Sequence, residues 1–153
     1  MARSYAAAWN ATNTQSTTVP IMTLTGAATV RAKLYDFVQG SDATPADNAG
    51  TFLIRRHTTT PASGTAITPA PLDPADPASL CTAMSGPSIG APTLTASSSV
   101  FQFPMNQRAT FRWVAAPGKE FVIPATASNG LSLLPSVVGG SAVNTVGVWE
   151  FEE

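Results

Sequence analysis

The chain has 153 residues, enough for one domain with a hydrophobic core but too few for two domains of ordinary size. Only 11% of the residues are charged, whereas globular proteins average about 25%, and the net charge is −1. The basic residues do not cluster, which argues against direct binding of nucleic acid. They are Arg3, Arg31, Lys33, Arg55, Arg56, Arg108, Arg112 and Lys119. A surface this poor in charge is cheap to desolvate, so it favours packing against neighbouring molecules.

The cysteine content and the lack of long apolar runs indicate in which cellular compartment the protein folds. Cys81 is the only cysteine in the sequence, so no disulfide can form within the chain, which is typical of folding in a reducing cytoplasm. Residues 1–10 lack the apolar core of a signal peptide, and no apolar run approaches the roughly 20 residues that cross a bilayer. We therefore expect a soluble protein that does not act in a membrane and is not exported by the general secretory route.

Residues 1–20 are polar and show no clear strand or helix period, so they are predicted to form an extended N-terminal arm outside the core. Fully extended, an arm of this length spans on the order of 65 Å, enough to lie across a neighbouring subunit. Tyr5 and Trp9 are the two large aromatic residues in the segment. Because aromatic side chains dominate interface energies, they are the candidate interface residues. The alternative is a frayed terminus.

Short β-like segments separated by Pro, Gly, Asn and Asp follow the arm. Strict alternation in one of them places Tyr35 and Phe37 on one face and Leu34 on the other. The predicted strands cover residues 21–24, 30–38, 51–58, 66–68, 93–103, 109–115, 120–123, 131–134 and 145–151.

Two segments between these strands carry turn signals. The prolines of residues 69–79 exclude a regular strand, and Asp76 followed by Pro77 predicts a single helical turn there. Residues 116–119 contain Pro-Gly and predict a tight turn. The strand at 120–123 is then the return strand of a hairpin.

About nine short strands at regular spacing, without a sustained helical period, predict an all-β protein. The expected architecture is an antiparallel β-sandwich with a jelly-roll-like order, formed by residues 21–153 as a single domain with the arm attached. Phe111, Trp113 and Trp149 are expected in its core.

Few residues carry the chemistry that catalysis or metal binding requires. His57 is the only histidine in the sequence and has no potential ligand at metal or catalytic spacing, so it is interpreted as an ordinary strand residue. Cys81 is interpreted as a small buried thiol. Asp42 and Asp47 in the segment 41–48 leave calcium binding as an alternative, although Asx turns explain them without an ion. We predict no catalytic residue, no cofactor and no metal.

Two charged features allow more than one interpretation. Residues 150–153 read EFEE and either complement a basic patch on a partner or form a solvated terminus, which is the simpler interpretation. Arg108 and Arg112 flank or lie in the most aromatic predicted strand. They either pair with carboxylates across an interface or cover the edge of the sheet.

Three segments together resemble small virion proteins of tailed bacteriophages. They read GSDATPADNA at residues 40–49, TPAPLDPAD at residues 68–76 and NQRATFRWVAAPGKEFVIPA at residues 106–125. The nearest functional category is the capsid decoration, or cement, protein. The resemblance extends over residues 30–153 and includes no catalytic signature.

This resemblance implies a small non-enzymatic β-domain that binds the outside of an icosahedral shell and strengthens it. The implied partners are the major capsid protein and further copies of the chain in a homotrimer. The implied location is the virion exterior, after assembly in the cytoplasm of the host bacterium. One alternative is a head-fibre, tail or receptor-binding β-module that recognises a host-surface glycan. Another is an enzyme on a β-sandwich scaffold, which would need His57 and carboxylates in one pocket.

Overall fold

The computed structural model describes residues 2–42, 44–87, 89–140 and 142–153, without the side chains of Ser97 and Ser98. The described residues form twelve β-strands. Among them there is no helix long and apolar enough to cross a membrane. The strands are β1 (Ser4–Thr12), β2 (Met22–Thr25), β3 (Lys33–Ser41), β4 (Ala49–His57), β5 (Thr65–Ile67), β6 (Ala70–Pro71), β7 (Thr82–Ser85), β8 (Leu94–Asn106), β9 (Phe111–Val114), β10 (Phe121–Val122), β11 (Gly130–Val137) and β12 (Asn144–Glu152).

The strands form two antiparallel sheets of six strands each. Sheet A has the order β10-β3-β12-β1-β6, and β9 also pairs with β3. Sheet B has the order β5-β7-β2-β11-β4-β8. The prediction of an all-β antiparallel fold is confirmed.

The two sheets share one hydrophobic core, and the ring of Phe37 lies near its centre. Phe37 belongs to sheet A and contacts Phe103 of sheet B at a centroid distance of 5.6 Å, which gives a sandwich-like arrangement. The predicted core residues Phe111, Trp113 and Trp149 lie at 5.8, 5.5 and 6.4 Å from Phe37. Each such aromatic pair contributes about 0.5–1.5 kcal/mol beyond its buried area.

Strand β3 contains an irregularity that strict alternation did not predict. Phe151 of β12 pairs with Leu34, and the residue before it, Glu150, pairs with Asp36, so Tyr35 is an extra residue in β3. An extra residue reverses the alternation beyond it. Leu34 and Phe37 are therefore both buried, although alternation placed them on opposite faces.

The predicted N-terminal arm is wrong for residues 4–12, which form β1 inside sheet A between β12 and β6. Tyr5 and Trp9 point into the core together with Ala7 and Ala11. Every residue of β1 has a partner on β12, so the segment is held by a full ladder of backbone hydrogen bonds. The chain beyond it is also tied down, since the Ser16 amide donates to a carbonyl of β11.

Strands β9 and β10 do not form the predicted hairpin. Each pairs with β3, and both lie along the same edge of that strand. The tight turn itself is present, because the Lys119 amide donates to the Ala116 carbonyl at 2.9 Å and Gly118 has a φ of +77°. The turn therefore belongs to a loop that interrupts one edge strand.

The predicted helical turn at Asp76 and Pro77 does not form either. A turn begins three residues earlier, where the Asp76 amide donates to the Asp73 carbonyl and the Asp73 carboxylate accepts from the Ala75 amide. The predicted strands otherwise correspond to β2, β3, β4, β5, β8, β9, β10, β11 and β12, with boundaries shifted by at most three residues. Strands β1, β6 and β7 were not predicted.

Candidate functional site

The two candidate interface residues, Tyr5 and Trp9, belong to the core of their own chain. Tyr5 is 1% exposed, stacks on Phe151 at 5.6 Å and donates a hydrogen bond from its hydroxyl to the Pro77 carbonyl. Trp9 lies against Gly147 so closely that a methyl group there would meet the indole at 2.9 Å. Neither side chain is available to a partner in this fold, which corrects the prediction made for them.

The same alternation that buries these aromatic residues places small side chains on the outside of sheet A. We define the outer patch as Ala8, Val38, Gly40, Val146 and Val148, all half-buried except for the exposed Ala8. Val148 is paired with Ala8 of β1 on one side and with Val38 of β3 on the other. Directly opposed residues of an antiparallel sheet share a face, so these three side chains form one row across the sheet.

The side chains of the outer patch are uncharged, and two charged side chains near them, Arg112 and Lys33, are paired within the chain. Glu150, two residues beyond Val148 on β12, forms no ion pair with a described residue. The Arg112 guanidinium binds the Asp36 carboxylate through two of its nitrogens, with a closest distance of 2.5 Å. The Lys33 ammonium lies 2.9 Å from the Glu152 carboxylate. Arg112, which lies opposite Val38, thus has its partner in its own chain, so a partner covering Val38 would not have to desolvate an isolated guanidinium.

The acidic terminus is also integrated into the fold, which differs from the simpler prediction of a solvated tail. The Glu153 carboxylate accepts hydrogen bonds from the Ser79 hydroxyl and from the Cys81 amide at 2.9 Å. Cys81 is buried beside it, as predicted. Burial, followed by the charge of Glu153, raises the pKa of the Cys81 thiol to about 12, so the nucleophilic thiolate is strongly disfavoured.

His57 is a buried titratable side chain whose two ring nitrogens both have hydrogen-bond partners. Its Nδ1 lies 2.8 Å from the Ser132 hydroxyl, and its Nε2 lies 3.1 Å from the Thr25 hydroxyl. A neutral imidazole donates through one nitrogen and accepts through the other, and hydroxyls do both, so both contacts are satisfied in either tautomer. Burial lowers the pKa of His57 from 6.5 to about 4, which keeps the ring neutral at physiological pH.

A serine beside a histidine is the arrangement that nucleophilic catalysis uses, so the accessibility of this pair matters. Ser132 is 0% exposed and His57 is 1% exposed. The second nitrogen of His57 is bound to Thr25, where a catalytic triad has a carboxylate. The pair therefore does not meet a substrate in this structure, and its role is to bridge three strands of sheet B.

The loop considered for calcium separates its two carboxylates. Asp42 accepts hydrogen bonds from the Asn144 amide group at 2.9 and 3.0 Å, whereas Asp47 accepts from Asn106 at 2.7 Å. Ala43 of this loop lies outside the described residues. Over the described ranges, no three His, Cys, Asp or Glu side chains come together in a group that could hold a metal ion.

Comparisons with protein-family models, with curated proteins and with solved structures found no match to this chain.

The sequence analysis predicted neither the outer patch nor the hydrogen-bond partners of His57. His57 lies 32 residues from Thr25 and 75 residues from Ser132 along the chain, so no local pattern indicates that they meet. A signal for β1 did exist, since Trp9 lies four positions after Tyr5, and side chains an even number of positions apart share a face of a strand.

Proposed function

We propose that this chain is a non-enzymatic structural protein of a bacteriophage virion, and that it binds the capsid shell as a decoration protein. The observation that carries the proposal is the outer patch, a group of small uncharged side chains on the outside of sheet A beside an arginine, Arg112, that is already paired with Asp36. The resemblance to small virion proteins of tailed bacteriophages names the partner, which is the major capsid protein.

The strand order supports a virion role. If β1, β2, β3, β4, β8, β9, β11 and β12 are lettered B to I in chain order, sheet A reads B-I-D-G and sheet B reads C-H-E-F. This order matches that of a jelly roll and so supports the proposed jelly-roll fold, which is common in viral capsid and lectin domains. Strand β6 extends sheet A beyond β1, and β5 and β7 extend sheet B beyond β2.

Binding through the outer patch would give a small favourable free energy for each copy, and many copies would bind the same shell. Alanine and valine lose little side-chain entropy when they are buried, and apolar area contributes roughly 25 cal/mol per Å² removed from water. A homotrimer would present three such faces to the shell at once, which raises the overall affinity without any new type of contact. The proposed location is the virion exterior, after assembly in the bacterial cytoplasm.

The test introduces a charge into the outer patch. Ala8→Glu adds a carboxylate to an exposed position of β1, and Gln102→Glu adds the same charge to an exposed position of β8 in sheet B as the matched control. Each variant and the unmodified protein are mixed with empty tailed-phage shells that lack a decoration protein, and cosedimentation is measured. We expect Ala8→Glu to bind at least about thirtyfold more weakly, because about 2 kcal/mol or more is lost when a charge is buried.

Gln102→Glu should bind like the unmodified protein, and bound shells should melt at a higher temperature than bare shells. Light scattering on the protein alone checks the proposed trimer. A stable monomer that does not sediment with any shell would contradict the proposal.

A head-fibre, tail or receptor-binding module for host glycans is the second candidate, and the observation that favours it is a cavity at one end of the two sheets.

A further inference from the structure

A cavity of about 570 Å³ opens at one end of the molecule and is lined by residues of both sheets. Arg31 precedes β3 and Val122 lies in β10, so one wall belongs to the sheet A side. Arg56 at the end of β4, Thr95 near the start of β8 and Gly130 at the start of β11 supply the sheet B side. Its volume is within the range of 300–1,000 Å³ that is common for small-ligand sites.

The charge of this cavity is positive and uncompensated. Arg31 and Arg56 both line it, and no Asp or Glu does. Neither guanidinium forms an ion pair with any residue that the structure describes, in contrast to Arg3, Lys33 and Arg112. Arg56 donates one hydrogen bond to the Val122 carbonyl, which positions its head group, and the other N–H donors of the fork have no acceptor among the described residues. Planar forks of this kind bind carboxylates and phosphates through paired hydrogen bonds.

The remaining lining combines hydrogen-bonding and apolar surfaces. Thr58, Thr95 and Asn129 supply hydroxyl and amide groups, whereas Pro124 and Ala125 supply an apolar surface. A sugar ring has hydroxyl groups at its edge and C–H groups on its faces, so it matches both kinds of surface. Among the described residues of the lining there is no Phe, Tyr or Trp, so a nucleobase would find no large aromatic ring to stack on.

His57 limits what the cavity can do. It forms part of the wall, but both of its ring nitrogens are engaged by Thr25 and Ser132. The imidazole therefore offers a ligand neither a free basic nitrogen nor a positive charge in addition to those of the two arginines. The positive charge that an anionic ligand meets comes from Arg31 and Arg56.

We propose that this cavity binds an acidic sugar, with the sugar carboxylate between Arg31 and Arg56 and the ring against Pro124 and Ala125. The ligand class is a uronic-acid type residue of a polysaccharide. This inference does not rest on shell binding, because the cavity lies at the end of the sheets and the outer patch lies on the face of sheet A.

Nuclear magnetic resonance titration of the full chain with sodium glucuronate tests the proposal. We expect saturable shifts of amide signals around Asn129 and Gly130, with a Kd on the order of 1 mM for a monosaccharide. Glucose is the control for the carboxylate, and it should bind at least about tenfold more weakly. Inorganic phosphate is the control for a general anion site and should not compete at equal concentration.

Arg31→Gln removes one cation from an exposed position, so it should preserve the fold and weaken glucuronate binding at least about tenfold. Arg108→Gln is the matched control, because Arg108 is also exposed but lies outside the cavity and should leave binding unchanged. Equal binding of glucose and glucuronate, or full binding by Arg31→Gln, would overturn the proposal. So would phosphate or an acidic peptide that occupies the cavity while glucuronate does not. Arg31→Gln should still sediment with shells, which separates this result from the test of shell binding.

Discussion

His57 shows how a single titratable residue is made neutral by its surroundings. Gly130 lies opposite it on β11, and a methyl group at that position would meet His57 Nε2 at 2.4 Å and the Leu24 carbonyl at 2.1 Å. The imidazole therefore occupies space that any larger residue at 130 would fill. The absence of a side chain on β11 allows the ring to reach Thr25 on β2 and Ser132 two residues further along β11.

This burial predicts a dependence of stability on pH. The unfolded chain protonates His57 near pH 6.5, whereas the folded chain does so only near pH 4. Between these values the unfolded state binds more protons, so the free energy of unfolding should fall by up to about 3 kcal/mol as the pH falls from 6.5 to 4. Above pH 7 this residue should contribute no pH dependence.

Urea unfolding followed by tryptophan fluorescence across this pH range measures the effect. His57→Gln should be less stable at pH 7 by about 1–3 kcal/mol, because hydroxyls of Thr25 and Ser132 lose their partner. The free energy of unfolding of this variant should also fall less steeply between pH 6.5 and pH 4, because it lacks the contribution of His57. Identical slopes in the variant and the unmodified protein would contradict the assignment.

At the scale of elements, β1 is the strand whose position matters most for the interpretation of the chain. It lies between β12 and β6 and supplies Tyr5 and Trp9 to the core. Its sequence is rich in alanine, which has a low preference for strands, and alanine occupies outward as well as inward positions. The polar and apolar alternation that marks the other strands is therefore weak here.

Removal of residues 2–12 distinguishes a core strand from an arm. Because β12 would lose its whole partner strand and the core would lose two aromatic side chains, we expect the truncated chain not to fold at 25 °C. Circular dichroism and thermal melting measure this. A truncated chain with an unchanged melting temperature would show that the segment acts as an arm.

Trp9→Ala is the milder companion variant, and it should cost about 3–5 kcal/mol. Ala8→Ser, at the neighbouring outward position, is its control and should change stability by less than about 0.5 kcal/mol. Equal effects of the two changes would contradict the inward orientation of Trp9.

Two edge strands of the sheets are irregular. The combined edge strand of β9 and β10 is interrupted by residues 115–120, and β8 carries register shifts opposite Arg55 together with Pro104. Irregularities and prolines of this kind keep an edge from pairing with another molecule's strand. Sheet A and sheet B thus present faces, more than edges, for association.

At the scale of the whole molecule, the chain combines few charges with a core drawn from both sheets. Cys81 reports on the integrity of that core, since it is 2% exposed and its pKa is raised to about 12. Small single domains of this size commonly unfold in one cooperative step. Reaction of the thiol should then require unfolding of the molecule.

Labelling of Cys81 with a thiol reagent at pH 8 measures this directly. We expect the folded protein to react at least about a thousandfold more slowly than the protein in concentrated urea. The rate should rise with urea in parallel with the loss of the folded state seen by tryptophan fluorescence. Fast labelling without urea would show that the segment around Cys81 opens locally, or that the thiol is not buried.

The sequence by itself determined the class of the fold and the location of most strands. Alternation of side chains is a local property with a period of two residues, so it identified β12 and the inward position of Trp149 correctly. Phe111 and Trp113, also predicted in the core, are partly buried and pack against it. Composition correctly indicated a chain with few charges and no disulfide.

Only the tertiary structure decided which strands pair and which side chains meet. The Thr145 hydroxyl donates to Asn13 across 132 positions of the chain, and Leu34 and Phe37 share a face because of one extra residue in β3. Such contacts depend on long-range pairing, which is favourable only when all strands of a sheet have assembled. The outer patch and the cavity between Arg31 and Arg56 arise in the same way, because each is built from strands that are distant in sequence.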